Sequence, residues 1–261
     1  MMRALYTAAT GMNAQETRMN VSANNLANSS TTGFKKVRTE FEDLLSERIQ
    51  SADAPDGQGG TRASPLEVGL GVRTGATTRS FSQGDMINTG NPLDLTIQGK
   101  GFFKVQRPDG LLGYTRAGNL TMDANGRLVT QNGMLLDPAI NVPQDAQNLV
   151  VRADGTVTAQ IAGQSDAVEL GNIEIALFQN AGGLHSLGGN LFESTPASGL
   201  PIIGRAGEQG AGTLAQGFLE GSNVSTVEEM IGLITTQRAY ELNSKVISTA
   251  DQMLQKLSQL S

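Results

Sequence analysis

Four apolar residues spaced by sevens, Leu5, Met12, Met19 and Leu26, open the chain. The intermediate positions Ala8, Gln15 and Ser22 are small or polar. A helix with this pattern presents the narrow seam of a coiled coil, not the broad apolar stripe of a helix lying on its own core. A second helix of the same kind closes the chain. It starts at the capping-box pattern Ser225-Thr226-Val227-Glu228. Its seam is doubled, Ala239/Tyr240, Val246/Ile247 and Met253/Leu254, and ends in Leu257 and Leu260. Each helix carries an internal glycine, Gly11 and Gly232, at a cost of about 1 kcal/mol relative to Ala. Close approach of another backbone is the expected common cause.

Between the helices the pattern changes twice. Phe34, Val37, Phe41, Leu44 and Leu45 continue at helix-like spacing, with Glu40, Glu42, Asp43 and Glu47 as a solvated acidic face. From Ser51 to Gly75 the residues are mostly Ala, Asp, Pro, Gly, Gln and Thr. So long a stretch without apolar pattern reads as an extended arm. From about Thr77 to Ser198 the period becomes two: Leu93, Leu95 and Ile97 alternate with polar residues, as do Ile173, Ile175 and Leu177. Pro108-Asp109-Gly110, Asn125-Gly126, Asn132-Gly133 and Asp154-Gly155 supply tight hairpin turns between such runs. Residues 199–221 are again rich in glycine.

Composition narrows the possibilities. Only 38% of the 261 residues are hydrophobic, 4% are aromatic, and there are 32 glycines. Such a chain builds several small packed units in place of one rich core. The net charge is −6 and no basic cluster exceeds Lys35-Lys36, which argues against nucleic acid as a partner. No run approaches the roughly 18 apolar residues of a membrane span, so no membrane insertion is expected. The N-terminus lacks the apolar region of a secretory signal, so export would leave it uncut.

Little here carries reaction chemistry. With no cysteine and a single histidine, His185 in a glycine-rich loop, zinc sites and thiol or serine–histidine nucleophiles are effectively excluded. Gly99-Lys100-Gly101 leads into the strand-like Phe102-Phe103, so it lacks the helix N-terminus that holds phosphate. Asp123-Ala124-Asn125-Gly126 lacks the later acidic ligands of a calcium loop. Asp94, Asp109, Asp123, Asp137 and Asp154 mostly occupy turn positions, where Asp bonds locally. No catalytic residue, cofactor or metal is expected, and the chain does not read as an enzyme.

Ala23-Asn24-Asn25-Leu26-Ala27-Asn28, followed by Thr31-Thr32-Gly33-Phe34-Lys35 and then Phe41, resembles the N-terminal signature of the bacterial flagellar rod and hook axial proteins. Thr89-Gly90-Asn91-Pro92-Leu93-Asp94, Gly101-Phe102-Phe103, Tyr114-Thr115-Arg116 and Leu128-Val129-Thr130 look like that family's β domain. Gln237-Arg238-Ala239-Tyr240-Glu241, Asn243-Ser244-Lys245 and Asp251-Gln252-Met253-Leu254 are similar to its terminal helix. Tyr6 departs from a position where Trp is common. The length and the opening Thr7-Ala8-Ala9-Thr10-Gly11-Met12 are most similar to the distal rod branch, with the proximal rod and the hook as alternatives within the family. A secreted carbohydrate-binding β protein is the alternative from another class, and it would need no seamed helix at either end.

The resemblance implies an α+β fold: terminal helices pairing as a coiled coil, with an inserted antiparallel β domain. Residues 1–35 would be the N-terminal helix of the inner coiled-coil domain and 225–261 its C-terminal helix. Residues 36–76 would be an extended arm, 77–204 the β domain and 205–224 a return linker. Leu5, Met12, Met19, Leu26, Tyr240, Ile247 and Leu254 would form the assembly seam. Asn24, Asn25, Leu26, Ala27, Asn28, Gly33 and Phe34 carry the family motif. Self-association into a helical homopolymer is implied, with proximal rod and hook proteins, the surrounding P and L rings and the flagellar export apparatus as partners. The place implied is the part of the flagellar basal body that spans the periplasm.

Overall fold

A computed structural model describes residues 2–50, 65–161 and 167–259. Residues 51–64 of the expected arm and Leu260 of the expected seam lie outside the described residues, as does the side chain of Leu257. The fold is α+β, with a helix at each end and antiparallel strands between them. The chain divides into two compact units. The first comprises Met1–Ala27, Val37–Arg79 and Ser225–Ser261, and the second Asn28–Lys36 and Ser80–Val224.

In the first unit, helix α1 (Met2–Ala27) packs against helix α2 (Thr226–Gln259) and against a two-stranded ribbon. The Ser225 hydroxyl caps α2 by accepting from the Glu228 backbone N–H at 3.4 Å. The ribbon pairs Val37–Asp43 with Val72–Arg79 in the register Val37↔Arg79, with a bulge between Glu40 and Phe41. This corrects the helix-like reading of residues 34–45. Val37, Thr39 and Phe41 are half-buried while Arg38, Glu40 and Glu42 are exposed, which is the period-two alternation of a strand. Across the ribbon Arg73 Nη2 lies 2.8 Å from Glu42 Oε2. Part of the expected arm is therefore paired sheet, and Glu47–Gln50 also pairs with Leu66–Val68.

The second unit is built from antiparallel sheets. In the largest, Phe102–Gln106 is central: it pairs with Leu112–Thr115, Leu135–Leu136 and Glu174–Leu177. Ala146–Val151, Thr156–Ile161 and Ala167–Asn172 form a three-stranded sheet. One core gathers Leu95, Ile97, Phe103, Val105, Leu120 and Ile175. A smaller cluster holds Phe102, Tyr114, Ala176 and Phe192, with Phe81 and Phe178 packed on it edge to face. The turn glycines Gly110, Gly126, Gly133 and Gly155 all have positive φ, as their Asp-Gly and Asn-Gly contexts require.

Two expected boundaries move. Residues 205–224 are not a linker: Thr213–Gln216 pairs with Leu95–Gln98, and Phe218–Glu220 with Met86–Asn88. Strands of three or four residues are too short to show periodicity, and the many glycines around them read as coil. Residues 28–35, assigned from sequence to the N-terminal helix of the inner domain, belong with Lys36 to the β unit.

Candidate assembly site

The fully buried residues of the two helices are small or polar. On α1 the buried positions are Ala8, Ala14, Ser22 and Asn25. On α2 they are Glu229, Thr236 and Ala250. Gln15 Oε1 is also buried, with no hydrogen-bond partner among the described residues. The seam residues Leu5, Met12, Met19, Leu26 and Ile247 are half-buried, and Tyr240 and Leu254 are exposed. What comes closest to Gly11 is a side chain: an added Cβ there would lie 2.9 Å from Asn243 Nδ2. Gly232 does not share that cause, since nothing lies within 4 Å of where its Cβ would be. Its carbonyl accepts instead from the hydroxyls of Thr235 and Thr236, at 2.8 and 2.7 Å.

The large apolar side chains of α2 mostly point elsewhere. Val227, Met230, Ile231 and Ile234, at i, i+3, i+4 and i+7, are 59, 48, 57 and 54% exposed. Leu242, Val246 and Met253 continue the exposed set. At 100° per residue the first four fall on the face opposite the buried Glu229 and Thr236. Reading the seam from Ala239 onward misses this stripe, although its spacing is visible in the sequence.

The family-motif residues divide between the units. Asn25, 1% exposed, replaces a neighbouring strand for Val37: its Nδ2 donates to the Val37 carbonyl at 2.8 Å, and its Oδ1 accepts from the Val37 N–H at 3.0 Å. Without the Asn25 amide both backbone groups of the half-buried Val37 lose these partners. Asn25→Leu is expected to lower the first unit's stability by about 1–3 kcal/mol, read as an earlier urea midpoint in far-ultraviolet circular dichroism. Asn24 and Ala27 are exposed, while Leu26 and Asn28 are half-buried.

Gly33, Phe34 and Lys35 are buried in the β unit. Gly33 has φ +69°, and a Cβ there would come within 2.7 Å of the Ala117 backbone nitrogen. Its own N–H donates to the Glu220 carbonyl at 2.8 Å. Lys35 Nζ lies 2.5 Å from Glu220 Oε1, with both side chains fully buried, and donates to the Ser82 carbonyl at 2.7 Å. The same carboxylate oxygen accepts from the Gly84 N–H at 3.1 Å. Arg116 completes the group. Its Nη1 is 3.5 Å from Glu220 Oε2 and donates to the Ile97 carbonyl at 3.2 Å, while Nη2 donates to the Gly99 carbonyl at 2.5 Å. Burial lowers the Lys35 pKa. The Glu220 hydrogen bond and charge oppose that shift, and Arg116 adds to it. Burial likewise lowers Arg116.

One carboxylate thus serves two buried cations and ties residues 33–35 to the strand Phe218–Glu220. Nearby, Asn223 Oδ1 accepts from the Lys36 N–H at 2.7 Å, and its Nδ2 donates to the Ser80 carbonyl at 3.0 Å. No local pattern announces this cluster, whose members Lys35 and Glu220 are 185 residues apart.

Among the described residues no group of His, Asp and Glu side chains could hold a metal, and no helix is long and apolar enough to cross a membrane. Asp123 is engaged by Arg127 at 2.7 Å, and His185 is exposed on a strand opposite Glu193.

Three family profiles match the chain: "Flagella basal body rod protein" over residues 5–35, "Flagellar hook protein FlgE/F/G D1 domain" over 96–159, and "Flagellar basal body rod FlgEFG protein C-terminal" over 215–260. Lys35, Arg116 and Glu220 fall one in each matched region. The flagellar basal-body rod protein FlgG of Buchnera aphidicola subsp. Acyrthosiphon pisum is 46% identical over 260 residues, covering 100% of both chains. That of Agrobacterium fabrum is 48% identical over 261 residues and 97% of both, and that of Borreliella burgdorferi 45% over 256 residues and 97% of both.

Proposed function

The chain belongs to the flagellar basal-body rod protein family, and from that premise we propose that it polymerises into the distal rod, the shaft that carries torque from motor to hook. It is a structural subunit of the bacterial flagellar basal body. The observation that carries the polymer reading is the exposed stripe Val227, Met230, Ile231 and Ile234. Four large apolar side chains at helical spacing on one exposed face mark a protein contact, and a second copy is the partner a rod supplies.

In this reading α1 and α2 pair as a coiled coil, and the seam Leu5, Met12, Met19, Leu26, Tyr240, Ile247 and Leu254 closes fully only among neighbours. The half-buried state of most of these residues supports that view. A helix pair that leaves its large apolar side chains half-buried or exposed gains much of its stability from packing against other chains. Repeated head-to-tail contacts that do not close generate a helical filament. Proximal rod and hook subunits would meet its two ends, the P and L rings would surround it across the periplasm, and the flagellar export apparatus would deliver it.

Electron microscopy of the concentrated protein tests the assignment. Straight tubes are expected. Curved tubes would point to the hook, and a chain that stays monomeric at every concentration would overturn the polymer reading.

A further inference from the structure

Neither apolar seam specifies how far along α1 the helix α2 sits. Leu5, Met12, Met19 and Leu26 repeat every seven residues, so sliding one helix by a heptad presents an equivalent seam. The facing positions of α2, Glu229, Thr236, Asn243 and Ala250, repeat by sevens as well. The contact between Gly11 and Asn243 breaks this degeneracy. Gly11 is the only glycine of α1, and the Asn243 amide fills the space its missing side chain leaves, with Nδ2 2.9 Å from where a Cβ would be. A slip of one heptad would set Asn243 against Ala4 or Arg18, both of which carry a Cβ.

We propose that Asn243 seated on Gly11 is the positioning contact that fixes the alignment of the two terminal helices. Packing of the two helices supplies association, and the amide in its notch selects one register. A polar side chain held between paired helices is a known way to specify their register. A Cβ at position 11 would displace the Asn243 amide from this notch, so the slipped alignments lose the contact. The inference concerns the helix pair within one chain and stands whether or not the chain polymerises.

The chain has no cysteine, so introduced pairs report alignment without background. Ala8→Cys is combined in turn with Tyr240→Cys, Ile247→Cys and Leu254→Cys in the full chain, and disulfide yield is measured after mild oxidation. One partner should dominate. Adding Gly11→Ala should move yield toward a partner seven residues away, and Ala4→Gly with Gly11→Ala should carry the maximum there. Asn243→Ala removes the amide without creating a clash, so it keeps the test valid if Gly11→Ala fails to fold. It should spread the yield over neighbouring partners. A single unchanged partner in the Asn243→Ala chain would overturn the proposal, as would the absence of a dominant partner in the chain that keeps Gly11 and Asn243.

Discussion

Glu220→Gln is expected to destabilise the β unit by about 3–5 kcal/mol, the usual cost of removing one partner from a buried ion pair. The substitution keeps the shape of the side chain but leaves Lys35 and Arg116 as two buried cations without their shared anion. Lys35→Met should cost less, because Glu220 would keep Arg116 and the Gly84 N–H. A loss of this size is a large fraction of the stability of a typical domain. Near-ultraviolet circular dichroism of the aromatic cluster around Tyr114 follows this unit, since the chain has no Trp. An unchanged urea midpoint for Glu220→Gln would show that the trio contributes nothing to holding residues 33–35 against the strand Phe218–Glu220.

Ile231→Asp should act on assembly and spare the fold. The side chain is 57% exposed, and substitutions at such positions usually change stability by less than about 0.5 kcal/mol. In a polymer the same position would be covered. Losing a buried Ile forfeits about 1.5–3 kcal/mol, and an unpaired carboxylate placed there adds a desolvation cost. A total near 3 kcal/mol raises the concentration needed for assembly by more than about a hundredfold. Pelleting across a concentration series, with circular dichroism as the control for folding, reads both effects. Wild-type assembly by a folded Ile231→Asp chain would remove the stripe from the interface.

Much of the architecture is visible in the residues alone, because it is written locally. Ser225 starts α2 where the capping pattern places it. The Asp-Gly and Asn-Gly pairs turn the backbone through positive φ, and Leu95 and Ile97 alternate into the core. The misread segments share a cause. In residues 34–45 the spacing of Phe34, Val37 and Phe41 fits a helix, while the charged residues between them fit a strand. Only pairing with Val72–Arg79 decides between the two. Likewise Phe218–Glu220 is a strand because Met86–Asn88 lies beside it, which no window of a few residues reveals. The site follows the same division. The half-buried Leu5, Met12, Met19 and Leu26 of α1 are legible as a heptad, yet Lys35 reads as half of a small basic pair and Glu220 as an ordinary acid. Long-range burial brings them together.

The central claim is that the outward face of α2 belongs to a neighbouring copy. Helical reconstruction of the assembled tubes by electron cryomicroscopy tests it most directly. The account predicts Val227, Met230, Ile231 and Ile234 buried against a second subunit in every repeat. Tubes in which these four side chains face solvent or an open channel would contradict it.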